Sequence, residues 1–216
     1  MTATVNQFTL TNAEQDLLPT GADVASFAEH GWDLSKRLLS DGEIDTLVEA
    51  SERFYAGHRD RALPHHPPTL AYWEPAQGAV QRHNDYVHYE SADIAKILRK
   101  PLIGAVAARL AGAQEIRVFQ STLIYKPPVG DEKTNLVPWH ADRHYWQTCT
   151  SERMFTAFIP FHDCGEQMGT ITMVDGSLVR YNHDSLVRKT ADQTPDYADP
   201  QYCPVLWRSE QWRSEQ

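Results

Sequence analysis

A chain of 216 residues with 41% hydrophobic and 10% aromatic side chains carries enough apolar material for one domain with a buried core, which excludes a disordered, tail-like protein. Its 29 acidic residues outnumber 20 basic ones, and a formal charge of −9 leaves no basic face for phosphates, so a small molecule is the expected partner and nucleic acid is not. Cys149, Cys164 and Cys203 are odd in number and form no C-x-x-C pair, which argues against a disulfide framework and a structural zinc site and for a reducing, cytoplasmic setting. The N-terminal stretch lacks the basic and apolar segments of a signal peptide, and no run of about 18 apolar residues occurs, so no membrane association is expected.

In chain order, Ser40 and Glu43 form a capping-box signature, and Ile44, Leu47, Val48, Phe54 and Tyr55 follow on one face, predicting an amphipathic helix over 41–55. Residues 57–80 are rich in His, Pro and Gly, with Pro64, Pro67, Pro68 and Pro75, and predict a long surface loop. Its extension to residue 90, with Trp73, Arg82, His83, Asn84 and Asp85, is the candidate substrate lid. Ser91 and Asp93 start a second helical stretch, and Pro101 opens a third that carries Leu102, Ile103, Val106 and Leu110 to Gly112. The period then changes to two over 116–125, predicting a strand, and Pro127-Pro128-Val-Gly130 is a turn. Leu136–Trp139, Met154–Phe161 and Met168–Val174 predict further strands, and strands without intervening helices imply antiparallel pairing. Beyond residue 190 the pattern thins into an irregular tail that ends in an identical tandem copy, Trp207–Gln211 and Trp212–Gln216, far too short for a repeat architecture.

His140-x-Asp142 follows a predicted strand, where residues i and i+2 project to one face and both side chains can grip one ion. Imidazole with carboxylate suits iron(II) and leaves positions open for a chelating cosubstrate, although the spacing alone often arises by chance. His65, His66, His83 and His88 fall in loop sequence and are not read as ligands; His144 reads as a pocket-lining or surface residue, and His162 as a strand end.

Around this pair stand Val137-Pro-Trp-His140-Ala-Asp142-Arg-His-Tyr-Trp146, then Phe158-Ile-Pro-Phe161-His-Asp-Cys164, then Gly169-Thr-Ile-Thr-Met-Val-Asp-Gly-Ser177. Over about residues 20–178 the chain resembles the phytanoyl-CoA dioxygenase family, with Leu110-Ala-Gly112 and the capped helix after Gly31-Trp32 similar to that family's N-terminal part. The resemblance implies a mainly β fold with N-terminal helices: a double-stranded β-helix, the jelly-roll or cupin-like barrel. It implies a single domain over 1–216, with a helical part over 20–112 that includes the lid loop 57–90, a barrel core over 113–178 and the tail over 190–216. It further implies iron(II) as cofactor and 2-oxoglutarate as cosubstrate, His140 and Asp142 as metal ligands, and Gln120 and Lys126 as contacts to cosubstrate or substrate. By residue type alone Lys126 equally reads as a solvated turn residue, and Gln120 as a group satisfying a neighbouring strand. No side chain is singled out as an acid, base or nucleophile.

Two departures from the family pattern stand out. Gly176-Ser177-Leu178 replaces the family's Gly-Ser-His, and no later strand pair carries a His followed by an Arg, so the third ligand and the cosubstrate-anchoring Arg are expected to be missing and the barrel incomplete at its C-terminal end. Tyr181-Asn-His183 with Arg188 is the one segment able to substitute, against a plain reading as a solvated loop. The expected function is iron(II)- and 2-oxoglutarate-dependent hydroxylation of a small organic substrate. The alternative is a truncated, silent relative that acts as a binding protein. A cupin-like hydrolase or isomerase would need further His residues near His140.

Overall fold

The computed structural model describes residues 10–63, 71–128, 142, 153–165 and 168–173. The chain divides into two compact units, one built from residues 1–19, 35–136 and 157–170, the other from 20–34, 137–156 and 171–216.

The first unit holds α1 (Asn12–Gln15), α3 (Asp41–Tyr55), α4 (Ala92–Leu98), α5 (Pro101–Ala111) and the strands β1 (Arg82–Asp85) and β2 (Thr122–Tyr125). α3 starts where the capping box places it: Ser40 Oγ accepts from Glu43 N at 3.3 Å, and Glu43 Oε2 accepts from Ser40 N at 2.8 Å. Lys100 Nζ donates to both Glu43 carboxylate oxygens at 2.8 Å and to Leu38 O at 3.0 Å, tying the start of α5 to the start of α3. Leu47, Ala50 and Phe54 recur at helical spacing on the buried face of α3 and join Leu39, Val87, Ile94, Ile97 and Leu123 in one core, with Ile159 and Phe161 packed against it. α4 is capped by Ser91 Oγ and by Asp60 Oδ2, which accepts from Ala92 N at 2.7 Å. α5 opens on Pro101 and closes on Gly112, whose φ of +59° is the left-handed cap that glycine adopts without steric cost.

β1 and β2 pair antiparallel, with Arg82 opposite Tyr125, His83 opposite Ile124, Asn84 opposite Leu123 and Asp85 opposite Thr122. One face of this ribbon carries the buried Asn84 and Leu123 toward the helical core, and the other carries His83, Asp85, Thr122 and Ile124. Residues 71–73 run along the far edge of β1: Trp73 N donates to His83 O at 3.1 Å and Asp85 N to Ala71 O at 3.0 Å, with an isolated bridge between Tyr72 and Asn84.

The second unit holds α2 (Gly21–His30). Thr20 Oγ1 accepts from Asp23 N, Asp23 Oδ2 accepts from Thr20 N at 2.7 Å, and Gly31 at φ +85° ends the helix by donating to Phe27 O at 2.8 Å. The rings of Phe27 and Phe155 pack with centroids 5.6 Å apart.

Three expectations are corrected. The loop expected over 57–90 gives way in its second half, where Tyr72 bridges Asn84, Arg82–Asp85 form β1 and Val87–Tyr89 make a 3₁₀ turn. The strand expected over 116–125 shortens to Thr122–Tyr125: β1 offers four partners, and after Tyr86 N donates to Ser121 O at 2.6 Å the chain turns away, leaving residues 116–120 without a described ladder partner. Met154–Phe161 and Met168–Met173 have alternating sequence but carry no ladder rung among the described residues, and Phe158 and Met168 stay about half exposed. Among the described residues helices predominate and the strands form one two-stranded antiparallel sheet, while much of the expected barrel core over 113–178 lies outside the described residues. Leu136–Trp139, Val174 and the tail from 190 lie outside the described residues.

Candidate functional site

Asp142 is described in the second unit, where Thr156 Oγ1 donates to its Oδ2 at 2.6 Å. A hydroxyl that holds one carboxylate oxygen is the kind of outer contact that orients a metal-ligating carboxylate. His140, His144, His183 and Arg188 lie outside the described residues. Among the described residues no group of three or more His, Cys, Asp or Glu side chains converges as a metal site, so they furnish one of the two ligands read from sequence. A carboxylate is one of the ligand types that iron(II) takes, alongside imidazole, so Asp142 is compatible with that ion without selecting it.

Gln120 and Lys126 belong to the first unit. Lys126 Nζ donates to Gly169 O at 2.9 Å, and Gly169 leaves room for it: a Cβ there would meet Lys126 Cδ at 3.1 Å and Nζ at 3.2 Å. Gln120 stands just before β2, with its Nε2 2.9 Å from Asp85 Oδ1 and 3.3 Å from Thr122 Oγ1. Asp85, 8% exposed, is the hub: its Oδ1 also meets Thr122 Oγ1 at 2.9 Å and His83 Nε2 at 3.1 Å, and its Oδ2 accepts from Ala71 N at 3.3 Å. Burial pushes the Asp85 carboxyl up, but the His83, Thr122 and Gln120 donors outweigh it and hold the group below the ordinary carboxylate value.

On the opposite face of the ribbon the Arg82 guanidinium sits among three rings, 4.5 Å from the centroid of Trp73, 4.7 Å from Tyr125 and 4.9 Å from Tyr55. Its Nε is sealed from solvent without a hydrogen-bond partner, as is Tyr55 Oη, whose pKa burial drives far up. His88 is buried with Nδ1 2.6 Å from Ser121 Oγ, and Ser121 Oγ also accepts from His88 N at 3.2 Å. Burial, then Arg99, lowers its pKa and favours the neutral ring, which shares a hydrogen bond with the Ser121 hydroxyl through Nδ1. A cavity of about 390 Å³ beside α3 is lined by Tyr55, Arg59, Tyr72, Trp73 and Glu90 among others. It includes neither Gln120, Lys126 nor Asp142, and its floor is an internal network in which Tyr72 Oη donates to Glu90 Oε2 at 2.9 Å and Arg59 Nε lies 3.5 Å from the same oxygen.

The sequence reading missed Asp85, Thr122 and Thr156 as partners of the site residues. His83-Asn-Asp85 has the same spacing as His140-Ala-Asp142, and that was the legible signal for Asp85; Thr156 has none.

Against known proteins, the sequence model of the family described as phytanoyl-CoA dioxygenase (PhyH) matches residues 27–214. Neither the curated proteins nor the solved structures yield a match. The family match runs past residue 178, where the quoted motifs end, through the stretch that carries His183 and Arg188. A match over most of the chain that spans His140, Asp142, Gln120 and Lys126 places it: the chain belongs to the phytanoyl-CoA dioxygenase family.

Proposed function

We propose that this chain is an iron(II)- and 2-oxoglutarate-dependent dioxygenase that hydroxylates a small organic substrate on a jelly-roll scaffold. The observation that carries the reading is the family match over residues 27–214, which takes in the His140-x-Asp142 pair. An antiparallel ribbon with helices packed on one face supports the scaffold assignment.

His140 and Asp142 would hold the iron, which with 2-oxoglutarate supplies the oxidising power needed to cleave an unactivated carbon–hydrogen bond. Thr156 steadies the Asp142 carboxylate by donating to Oδ2. Lys126 is suited to a cosubstrate carboxylate, because an ammonium has three donors and Gly169 O takes one of them. His183 and Arg188 are the residues to test for the remaining ligand and the carboxylate anchor, since the family match extends through them.

The test is an anaerobic titration of the purified chain with iron(II) and 2-oxoglutarate, read by the visible charge-transfer band of the chelated complex. The band should form with the native chain and vanish in His140→Ala and in Asp142→Ala. A well-folded sample without a band, or an equal band in both variants, refutes the assignment.

A further inference from the structure

The cavity beside α3 lies wholly within the first unit and, at about 390 Å³, falls in the size range of small-ligand sites. Its polar floor is committed to internal bonds. Arg59 uses four of its five N–H groups inside the protein: Nε and Nη2 donate to Tyr72 Oη at 3.0 and 2.9 Å, and Nη1 donates to Phe54 O at 2.5 Å and to His58 O at 2.8 Å. Tyr72 in turn gives its hydroxyl proton to Glu90 Oε2 at 2.9 Å. One face of the guanidinium rests on the Phe54 ring, with Cζ 3.4 Å from the centroid, which is stacking contact. Arg59 nevertheless lines the cavity with its side chain 18% exposed, so what it presents there is chiefly its second face. Tyr72 and Trp73 line the same cavity with rings, and Gly57, Ala62 and Ala76 are too small to fill it.

A flat cation with few spare donors discriminates among ligands. A carboxylate finds no two-pronged fork to grip, and it meets the carboxylates of Glu74 and Glu90, which also line the cavity. An organic cation would have to stack on a guanidinium of like charge. An uncharged ring with an electron-rich face can meet the guanidinium as Phe54 does from the other side.

We propose that this cavity is a binding site for an uncharged, electron-rich aromatic ring, which stacks on the second face of Arg59 and completes a Phe54–Arg59–ligand sandwich. The inference stands apart from the oxygenase reading, and its test needs neither iron nor 2-oxoglutarate.

Nitrogen-15 NMR of the full chain tests it through two reporters. One is the Arg59 Nε–H, bonded to Tyr72 Oη and identified by its loss in Arg59→Lys; the other is the Trp73 indole N–H, bonded to Gly78 O at 3.3 Å and identified by its loss in Trp73→Phe. Benzyl alcohol should move both resonances, with the Arg59 signal going upfield as a proton over a ring face does. Pentafluorobenzyl alcohol has nearly the same shape and is more apolar, but its ring face has the opposite polarity, so it should bind about fivefold more weakly. Burial of apolar area alone would give the reverse order. Benzoate and benzylammonium should each bind about fivefold more weakly than benzyl alcohol. Ala62→Phe, at an exposed position on the cavity wall, should abolish the response to benzyl alcohol. Undisturbed reporters at the solubility limit of benzyl alcohol overturn the proposal whether or not any variant folds. Equal or tighter binding of the fluorinated ring or of either ion overturns it too, as does an unchanged response in a folded Ala62→Phe.

Discussion

Replacing Thr156 by Val keeps the volume of the side chain and removes a hydroxyl that donates to Asp142 Oδ2, of the predicted metal ligand, at 2.6 Å. A hydrogen bond to an ionised carboxylate contributes about 1.5–3 kcal/mol where solvent is excluded, and Thr156 is exposed, so water competes and the lower end applies. Loss of about 1.4 kcal/mol corresponds to about tenfold weaker binding, the low end of the effect seen when partners of ligating groups are removed. Anaerobic titration of iron(II) with 2-oxoglutarate present should therefore show a dissociation constant about tenfold higher in Thr156→Val, with the same final band intensity. Asp142→Ala should give no band at all. Native affinity in Thr156→Val, together with loss of binding in Asp142→Ala, would show that the hydroxyl does not orient the ligand; native affinity in both would remove Asp142 from the metal site.

Other perturbations test the frame around the site. Phe54 is 2% exposed at the centre of the core, and Phe54→Ala should cost about 3–5 kcal/mol in urea denaturation; a cost under about 1 kcal/mol would mean that α3 is not packed as described. The Asp85 carboxyl has a folded pKa below its ordinary 3.8, so it contributes stability that is full above that value and is lost as pH falls through the folded pKa; Asp85→Asn should flatten the acid limb of the stability profile below about pH 4, and an unchanged limb would refute the hub. The sign is similar for His88, whose folded pKa lies below its ordinary 6.5: the unfolded chain binds the proton more readily, so stability falls as pH drops below 6.5 toward the folded value, and His88→Gln should remove that slope. Because His83 Nε2 is held by Asp85 at 3.1 Å, His83→Ala should leave iron binding within about twofold of native. Loss of the iron–cosubstrate band in that variant would move the metal site to β1.

The helical half was legible because its signals are local. Ser40 with Glu43, Ser91 before α4, and Pro101 with Gly112 mark termini through bonds spanning three or four residues, and the structure forms each of them. Thr20 with Asp23 follows the same grammar at α2 yet escapes the sequence reading, because Asp stands where Glu is the usual partner and the helix behind it buries no residue to give a strong stripe. The β half was poorly legible because a strand exists only through a distant partner. Ile116 to Phe119 alternate as well as Thr122–Tyr125 do, but only the latter meets β1. Arg82-His-Asn-Asp85 reads as loop, Asn and Asp being depleted in strands, and becomes a strand through Trp73, Ala71 and β2 on its two edges. Of the site residues, Gln120 and Lys126 were placed by resemblance, whereas their actual partners, Asp85 and Gly169, stand 35 and 43 residues away in the chain, where no local pattern connects them.

The two H-x-D pairs show why spacing alone does not make a metal site. On β1 the two side chains share a face, as a shared ion would require, yet His83 Nε2 and Asp85 Oδ1 bond each other, and Gln120 and Thr122 add two further donors to the same oxygen. A cation binding there would have to displace three donors from one atom, two of them side chains that have no other carboxylate to turn to among their described bonds. With so many donors on Oδ1, Asp85 serves the ribbon as a fixed acceptor, and the ribbon in turn holds Gln120 in one orientation. The family match over residues 27–214 spans both pairs, so what sets His140-Ala-Asp142 apart is neither its spacing nor the match but its surroundings in sequence, Val137-Pro-Trp before it and Arg-His-Tyr-Trp146 after it, which carry the resemblance, while the same spacing on β1 serves the architecture.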